Sequence, residues 1–213
     1  MGDFSVQYNE ISELLQKGKA KDIGAAVQKA LDAGASAPDI LEKGLIAGMS
    51  VIGGKFKRGE VFVPEVLIAA RAMNAASTAL KPSLAKAGVE PVGKAVICTV
   101  KGDLHDIGKN LVKMMVEGKG IEVLDLGVDC DEAKIIEAVR TSGAKVLCLS
   151  ALLTTTMMAQ KSVIEALNAA GLRDKVKVMI GGAPVTQTFA DEIGADAYTP
   201  DAATAAEVCR SFY

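Results

Sequence analysis

Few residues of this chain are of a type that does chemistry, and they fall in three short stretches. The single histidine, His105, lies in Gly102-Asp103-Leu104-His105-Asp106-Ile107-Gly108, directly after the apolar run Ala95 to Val100 and before a helical pattern at Lys109. An imidazole at the carboxyl end of a strand, with an acid two residues before it, is laid out as a metal ligand and the partner that orients it. The same histidine taken alone also suits a surface position or a hydrogen-bonded place in a core. The second stretch is Ser150-Ala151-Leu152-Leu153-Thr154-Thr155-Thr156 and the third is Gly181-Gly182-Ala183-Pro184, each after an apolar run. The hydroxyls are suited to capping a following helix, and one of them is expected to do so. The glycine pair can make a turn or let backbone approach a large flat ligand closely. Neither GxGxxG nor GxxxxGK[ST] occurs at the first loop, which disfavours a dinucleotide or P-loop site.

These stretches are positioned by an alternation of strands and helices. From Lys94 onward the expected strands are Ala95 to Val100, Ile121 to Leu126, Lys145 to Ser150, Val176 to Ile180 and a short Ala195 to Tyr198. Helical patterns fill the gaps, with Leu111, Met115, Ile135, Val139, Val163 and Leu167 facing inward. Continuous apolar strands separated by amphipathic helices indicate a parallel sheet covered on both faces. Such a doubly wound, flavodoxin-like sheet of five strands takes the order 2-1-3-4-5, and ligands bind beyond the carboxyl ends of its strands at the switch point. All three stretches lie at that edge.

Upstream, residues 1 to about 81 read as helices alone. Phe4, Tyr8, Ile11 and Leu15 keep helical spacing, as do Ile23, Val27, Ala30 and Leu31 after the break at Gly18. Ser36 and Pro38 open a third helix with Leu41, Leu45, Met49, Ile52 and Phe56 on one face. Pro64 starts a fourth, with Leu67, Ala70, Met73, Ser77 and Leu80 on one face. This is the pattern of a four-helix bundle. Between Pro82 and Gly93 the periodicity lapses, so a linker is expected there, dividing the chain into domains 1–88 and 89–213.

Composition narrows the function. The chain of 213 residues is 50% hydrophobic and 23% charged, with a formal charge of -2 and no basic cluster, which argues against a phosphate-tracking nucleic-acid surface. No apolar run reaches membrane-spanning length and the amino terminus lacks a signal pattern, so a cytoplasmic protein is expected. Cys98, Cys130, Cys148 and Cys209 form no CxxC pair and are expected to be buried reduced thiols.

The DxHxxG loop, the SxL after the third strand and the GG after the fourth together resemble the corrinoid-binding domain of cobalamin-dependent methionine synthase and the small corrinoid methyl carriers. Upstream, Glu42, Gly48-Met49, Phe56, Gly59-Glu60 and Phe62-Val63-Pro64-Glu65 resemble the helical cap that covers the methyl face in that family. The resemblance implies cobalamin or a related corrinoid as cofactor, bound through Gly102, Asp103, Leu104, His105, Asp106, Ile107 and Gly108. His105 would be the lower cobalt ligand in place of the cofactor's own base. Asp103 would hold its other ring nitrogen, and Thr156 stands where methionine synthase has the serine that completes the relay. Ser150, Leu152, Thr154, Gly181, Gly182 and Ala202 would line the pocket of the displaced nucleotide tail. Phe56 and Val63 would pack over the methyl group, with valine smaller than methionine synthase's leucine, and Glu42 would lie near the upper face.

A cobalt centre that receives a methyl group as Co(I) and passes it on as methyl-Co(III) changes its coordination number, so its lower ligand must be able to leave. The resemblance therefore implies a methyl carrier, a component of a methyltransferase system rather than a complete enzyme. A substrate-specific methyltransferase for methanol, a methylamine, a betaine or a methoxyaromatic would load it. A second methyltransferase would unload it to tetrahydrofolate or a thiol, and a reductive activator would restore oxidised cobalt. The alternatives are the cobalamin-binding part of an adenosylcobalamin isomerase, which would need a substrate barrel, and a cobalamin-sensing regulator, which the missing basic region disfavours.

Overall fold

A computed structural model describes residues 3–88 and 90–213. The chain separates into two units, one running to Glu90 and including the Gly118–Gly120 turn, the other formed by Pro91–Glu117 and Ile121–Tyr213. No helix among the described residues is long and apolar enough to cross a membrane.

The first unit is helical, and each helix forms where the apolar spacing requires one. In α1 (Ser5–Gln16) Tyr8, Ile11 and Leu15 are buried, and in α2 (Ala20–Asp32) Ile23, Val27 and Ala30 are. Full burial of side chains such as Ile23 and Val27 contributes about 1.5–3 kcal/mol each. Ser36 caps the next element by accepting a hydrogen bond from the Asp39 N–H at 3.2 Å. That element, α3 (Ala37–Asp39), runs through a π-helical segment, Ile40–Ile46, into α4 (Ala47–Lys57). The wider π turn shifts the buried stripe, so that Ile40 and Gly44 join Leu45, Met49 and Ile52 while Leu41 and Phe56 are only half-buried. Gly44 is needed because a Cβ there would stand 3.1 Å from Ile11.

The last helix, α5 (Val63–Lys86), departs from expectation twice. Its buried face is Val66, Ala69, Ala70, Ala72, Met73, Ala76 and Leu80, with Leu67 and Ser77 at the margin. Its small residues widen the buried stripe because they admit close approach on several adjacent columns. It also continues through Pro82 to Lys86, so the expected linker of 82–93 begins five residues late. Proline removes only the hydrogen bond to the carbonyl of Thr78, and Thr78 is exposed, so water can take that place. Val89, within that expected linker, lies outside the described residues.

The second unit is a five-stranded parallel sheet in the order β2-β1-β3-β4-β5. Its strands are β1 (Gly93–Thr99), β2 (Ile121–Asp125), β3 (Val146–Ser150), β4 (Lys177–Gly181) and β5 (Ala197–Tyr198). The helices are α6 (Ile107–Glu117), α7 (Glu132–Ser142), α8 (Met158–Ala169), α9 (Gln187–Ile193) and α10 (Ala202–Ser211). Central strands are buried on both faces, as a covered parallel sheet requires, and the six helical residues expected to face inward are all buried. Asp131, Thr186 and Asp201 cap α7, α9 and α10. The four cysteines are buried free thiols. At the switch point the register places Thr99, Ser150 and Gly181 side by side at the ends of β1, β3 and β4.

Candidate functional site

Beyond that row of strand ends, the chain after β1 turns at Gly102, whose φ of +79° lies in the left-handed region, and folds over Asp103. The Asp103 side chain is fully buried, yet all its bonding capacity is engaged. One oxygen, Oδ2, accepts from the Leu152 N–H at 2.7 Å and from the Thr156 hydroxyl at 2.7 Å. The other, Oδ1, accepts from the His105 N–H at 3.1 Å and lies 2.7 Å from His105 Nδ1. Burial alone would push the carboxyl up, but the bonds from Thr156, Leu152 and His105 outweigh it and hold Asp103 well below the usual carboxylate range. An ionised carboxylate beside Nδ1 assigns the proton to that nitrogen and leaves the Nε2 lone pair free. The imidazole is half exposed, so Nε2 is available to a ligand.

Thr156 holds Asp103, as the resemblance implies, while the cap expected from one hydroxyl of this run is not made. α8 starts without a side-chain cap, and Thr156 is spent on Asp103 while accepting weakly from the Leu153 N–H at 3.3 Å. A buried ionised carboxylate is a stronger acceptor than a backbone carbonyl and wins the hydroxyl. Ser150 is half-buried, Thr154 exposed, and Ala202 buried at the start of α10. Gly181 ends β4, and Gly182, at φ +130°, passes so close to Ala151 that a Cβ would stand 1.7 Å from its carbonyl oxygen. Glu42, Phe56 and Val63 all belong to the helical unit: Glu42 is exposed on the π-helical segment, Phe56 half-buried near the end of α4, Val63 half-buried at the start of α5.

Around His105 the surface is aliphatic. Leu104, Ile107, Leu152, Leu153 and Met158, all from the loops and helix starts at this sheet edge, are exposed. Such a group of bared aliphatic side chains marks a ligand or partner surface rather than ordinary solvent-facing chain. Among the described residues no three His, Cys, Asp or Glu side chains gather as a metal site, so His105 stands as a lone donor.

Sequence reasoning missed several residues that hold this loop. Thr99 donates its hydroxyl to the His105 carbonyl at 2.8 Å. Lys109, with a side chain only 2% exposed, donates to both oxygens of Asp125 at 2.8 Å and to Asn110 at 2.7 Å, tying the start of α6 to the end of β2. Burial raises the Asp125 carboxyl, but Lys109 and the Gly127 N–H together hold it below its ordinary value. A lysine just past the loop and an acid at a strand end were the visible signals. Lys109→Ala should cost about 3 kcal/mol, the lower end for breaking a buried pair because Lys113 still stands near Asp125. Urea unfolding would measure it, and a cost below about 1 kcal/mol, the level of a surface pair, would show that the pair is not an interior one.

Similarity to known proteins agrees with this geometry. Family models described as B12 binding domain match residues 93–209 and residues 7–81. Monomethylamine corrinoid protein 1 of Methanosarcina acetivorans is 48% identical over 186 residues, 85% of each chain. A solved cobalamin-binding protein from Desulfitobacterium hafniense superposes with a TM-score of 0.82 at 32% identity, covering 97% of this chain and 98% of that one. The methanol:cobalamin methyltransferase complex of Methanosarcina barkeri contains a chain that superposes with a TM-score of 0.87 at 30% identity, covering 96% of this chain and 78% of that one.

Proposed function

The chain belongs to the family of B12-binding corrinoid proteins, and from that premise we propose that it carries a methyl group on a bound corrinoid between two methyltransferases. The observation that carries the reading is His105, with Nδ1 held by a buried carboxylate and Nε2 left free at an aliphatic surface. The residues present fit the group. A lone imidazole suits a metal that arrives with its own equatorial ligands, and the bared leucines, isoleucine and methionine suit the face of a large macrocycle. Gly182, with no room for a side chain, leaves bare backbone beside the end of β4.

The corrinoid supplies a cobalt atom that takes up a methyl group and gives it on. This chain's part is to offer His105 Nε2 as a ligand that can also withdraw. Asp103 keeps the Nδ1 proton in place while Nε2 is bound, and its negative charge stabilises the ring when Nε2 instead takes a proton. Thr156 and the Leu152 N–H fix the carboxylate from the far side, so the proton stays at Nδ1 rather than moving to Asp103. Gly102, Leu104, Asp106, Ile107 and Gly108 shape the loop around the ligand. Ser150, Thr154, Gly181, Gly182 and Ala202 would line the tail pocket, and from the helical unit Glu42, Phe56 and Val63 would contribute to holding the corrinoid.

A substrate-specific methyltransferase loads the carrier. The 48% identity to a monomethylamine corrinoid protein favours a methylated amine as donor, and the methanol complex supports a methyltransferase as a direct partner. A second methyltransferase acting on tetrahydrofolate or a thiol, with a reductive activator, completes the cycle in the cytoplasm.

The test is a visible spectrum of the protein incubated with hydroxocobalamin and desalted, beside His105→Ala. We expect about one corrinoid retained per chain and a base-off spectrum whose His-dependent features vanish in the variant, with affinity down by about 10-fold or more. No retention by the wild-type chain would overturn the proposal.

A further inference from the structure

We propose that Asp129, which lies on neither β1 nor the His105 loop, is a positioning residue for His105. This rests on the reading of His105 as the cobalt ligand. Among the described residues Asp129 is the one non-glycine with a positive φ, +51°, and every other left-handed position belongs to glycine. Aspartate tolerates that conformation better than most residues, yet glycine would adopt it without strain. Strained backbone persists where its surroundings over-determine it, and it clusters at functional sites. The aspartate is therefore present for its side chain, and the structure shows what the side chain does.

Its Oδ1 accepts from the Gly102 N–H at 2.8 Å, and its own backbone N–H donates to the Asp103 carbonyl at 3.0 Å. The two bonds run in opposite directions, one from the N–H of the Lys101–Gly102 peptide and one to the C=O of the Asp103–Leu104 peptide, so they clamp the backbone on both sides of the Gly102–Asp103 peptide. That clamped segment is the base from which the Asp103 carboxylate reaches Leu152 and Thr156 on one side and His105 Nδ1 on the other. Rotation of the backbone at Asp103 would pull Oδ1 from the imidazole while Oδ2 stayed anchored. The segment carrying Asp129 is itself fixed to the strand: Thr99 N–H donates to the Gly127 carbonyl at 3.0 Å and Cys130 N–H to the Thr99 carbonyl at 3.1 Å. Thr99 then holds the far end of the loop through the His105 carbonyl. Asp129 is exposed, so its bond to Gly102 adds little to global stability; what it supplies is orientation.

The experiment compares full-length Asp129→Gly, Asp129→Ala and Asp129→Asn with the wild type. The chain has one histidine, so a long-range proton–nitrogen correlation spectrum of 15N-labelled protein without corrinoid reports the His105 tautomer directly. We expect the wild type and Asp129→Asn, which keeps the acceptor and the left-handed backbone, to show protonated Nδ1 and free Nε2. Asp129→Gly and Asp129→Ala should show mixed tautomers and, after loading with hydroxocobalamin, His-ligated affinity lower by about tenfold, the small end for outer partners of a metal ligand. Asp129→Gly relieves the strain and keeps the test open where Asp129→Ala folds poorly. A wild-type tautomer ratio and unchanged His ligation in Asp129→Gly would overturn the proposal. Failure of the wild type itself to retain corrinoid overturns the carrier reading instead, and the tautomer comparison still decides whether Asp129 orients the ring.

Discussion

Asp103→Asn should fold and yet lose ligation by His105. The two oxygens of Asp103 face four donors: Leu152 N–H and Thr156 Oγ1 on one, His105 N–H and Nδ1 on the other. An asparagine can keep its carbonyl toward Leu152 and Thr156, which turns its NH2 toward the imidazole. Nδ1 must then accept, the ring proton moves to Nε2, and the atom meant to bind cobalt has no free lone pair. Corrinoid affinity should fall by about 10- to 100-fold, read as loss of the His-dependent spectrum in a protein with an unchanged circular dichroism signal. Asp103→Ala goes further. It strands the Leu152 N–H and Thr156 hydroxyl in the interior at about 1–3 kcal/mol each, a total of about 4 kcal/mol with the vacated space. Urea unfolding midpoints would separate the two variants; equal midpoints would mean that water enters the site. Because the Asp103 pKa lies below its unfolded value of about 3.9, its contribution is present above that pH and drains away as the pH falls further.

Gly182→Ala should be comparably harmful for a reason with no charge in it. The new methyl would stand 1.7 Å from the Ala151 carbonyl oxygen and 2.7 Å from its carbon, both backbone atoms that cannot swing aside. Left-handed strain of about 1–2 kcal/mol adds to the displacement of the β3 end, for a total of about 4 kcal/mol. Gly143→Ala is the control, since its φ is +71° but nothing lies within 4 Å of the added carbon. It should lose only the strain, about 1 kcal/mol, and a Gly182→Ala protein no less stable than the control would refute the clash. The displaced β3 end also carries Ser150 and Leu152, so Gly182→Ala should weaken corrinoid retention in a way Gly143→Ala does not.

Much of this was legible before any coordinates. Continuous apolar runs and period-3.6 patterns located all five strands and the helices between them, because in a sheet covered on both faces burial is strong and uniform. The sheet order followed from the length and alternation of the crossovers. The resemblance placed His105, Asp103 and Thr156 together, and the structure joins the three by hydrogen bonds. What escaped detection depended on competition between neighbours rather than on pattern. Pro82 stayed helical because its lost partner was solvent-facing, and the π turn at Ile40–Ile46 moved a stripe that ordinary helical spacing places differently. One hydroxyl of the run ending at Thr156 was expected to cap α8, yet that helix starts without a side-chain cap. Lys109, Asp125 and Asp129 are ordinary surface types in the sequence, and only the fold makes one of them buried and another left-handed.

The bonds to Asp103 also have a history in time. They join positions 49 and 53 residues apart in the chain, and β4, which brings Gly182, lies further along still. Closing contacts of such separation costs more chain entropy than closing local ones, and the His105 ring gains its orientation only when Leu152 and Thr156 have reached Asp103. A corrinoid that needs the oriented ring then meets a finished protein rather than templating one. Having bound, it should slow unfolding and raise the melting temperature with the logarithm of its free concentration above Kd, since it stabilises the native state and not the open chain.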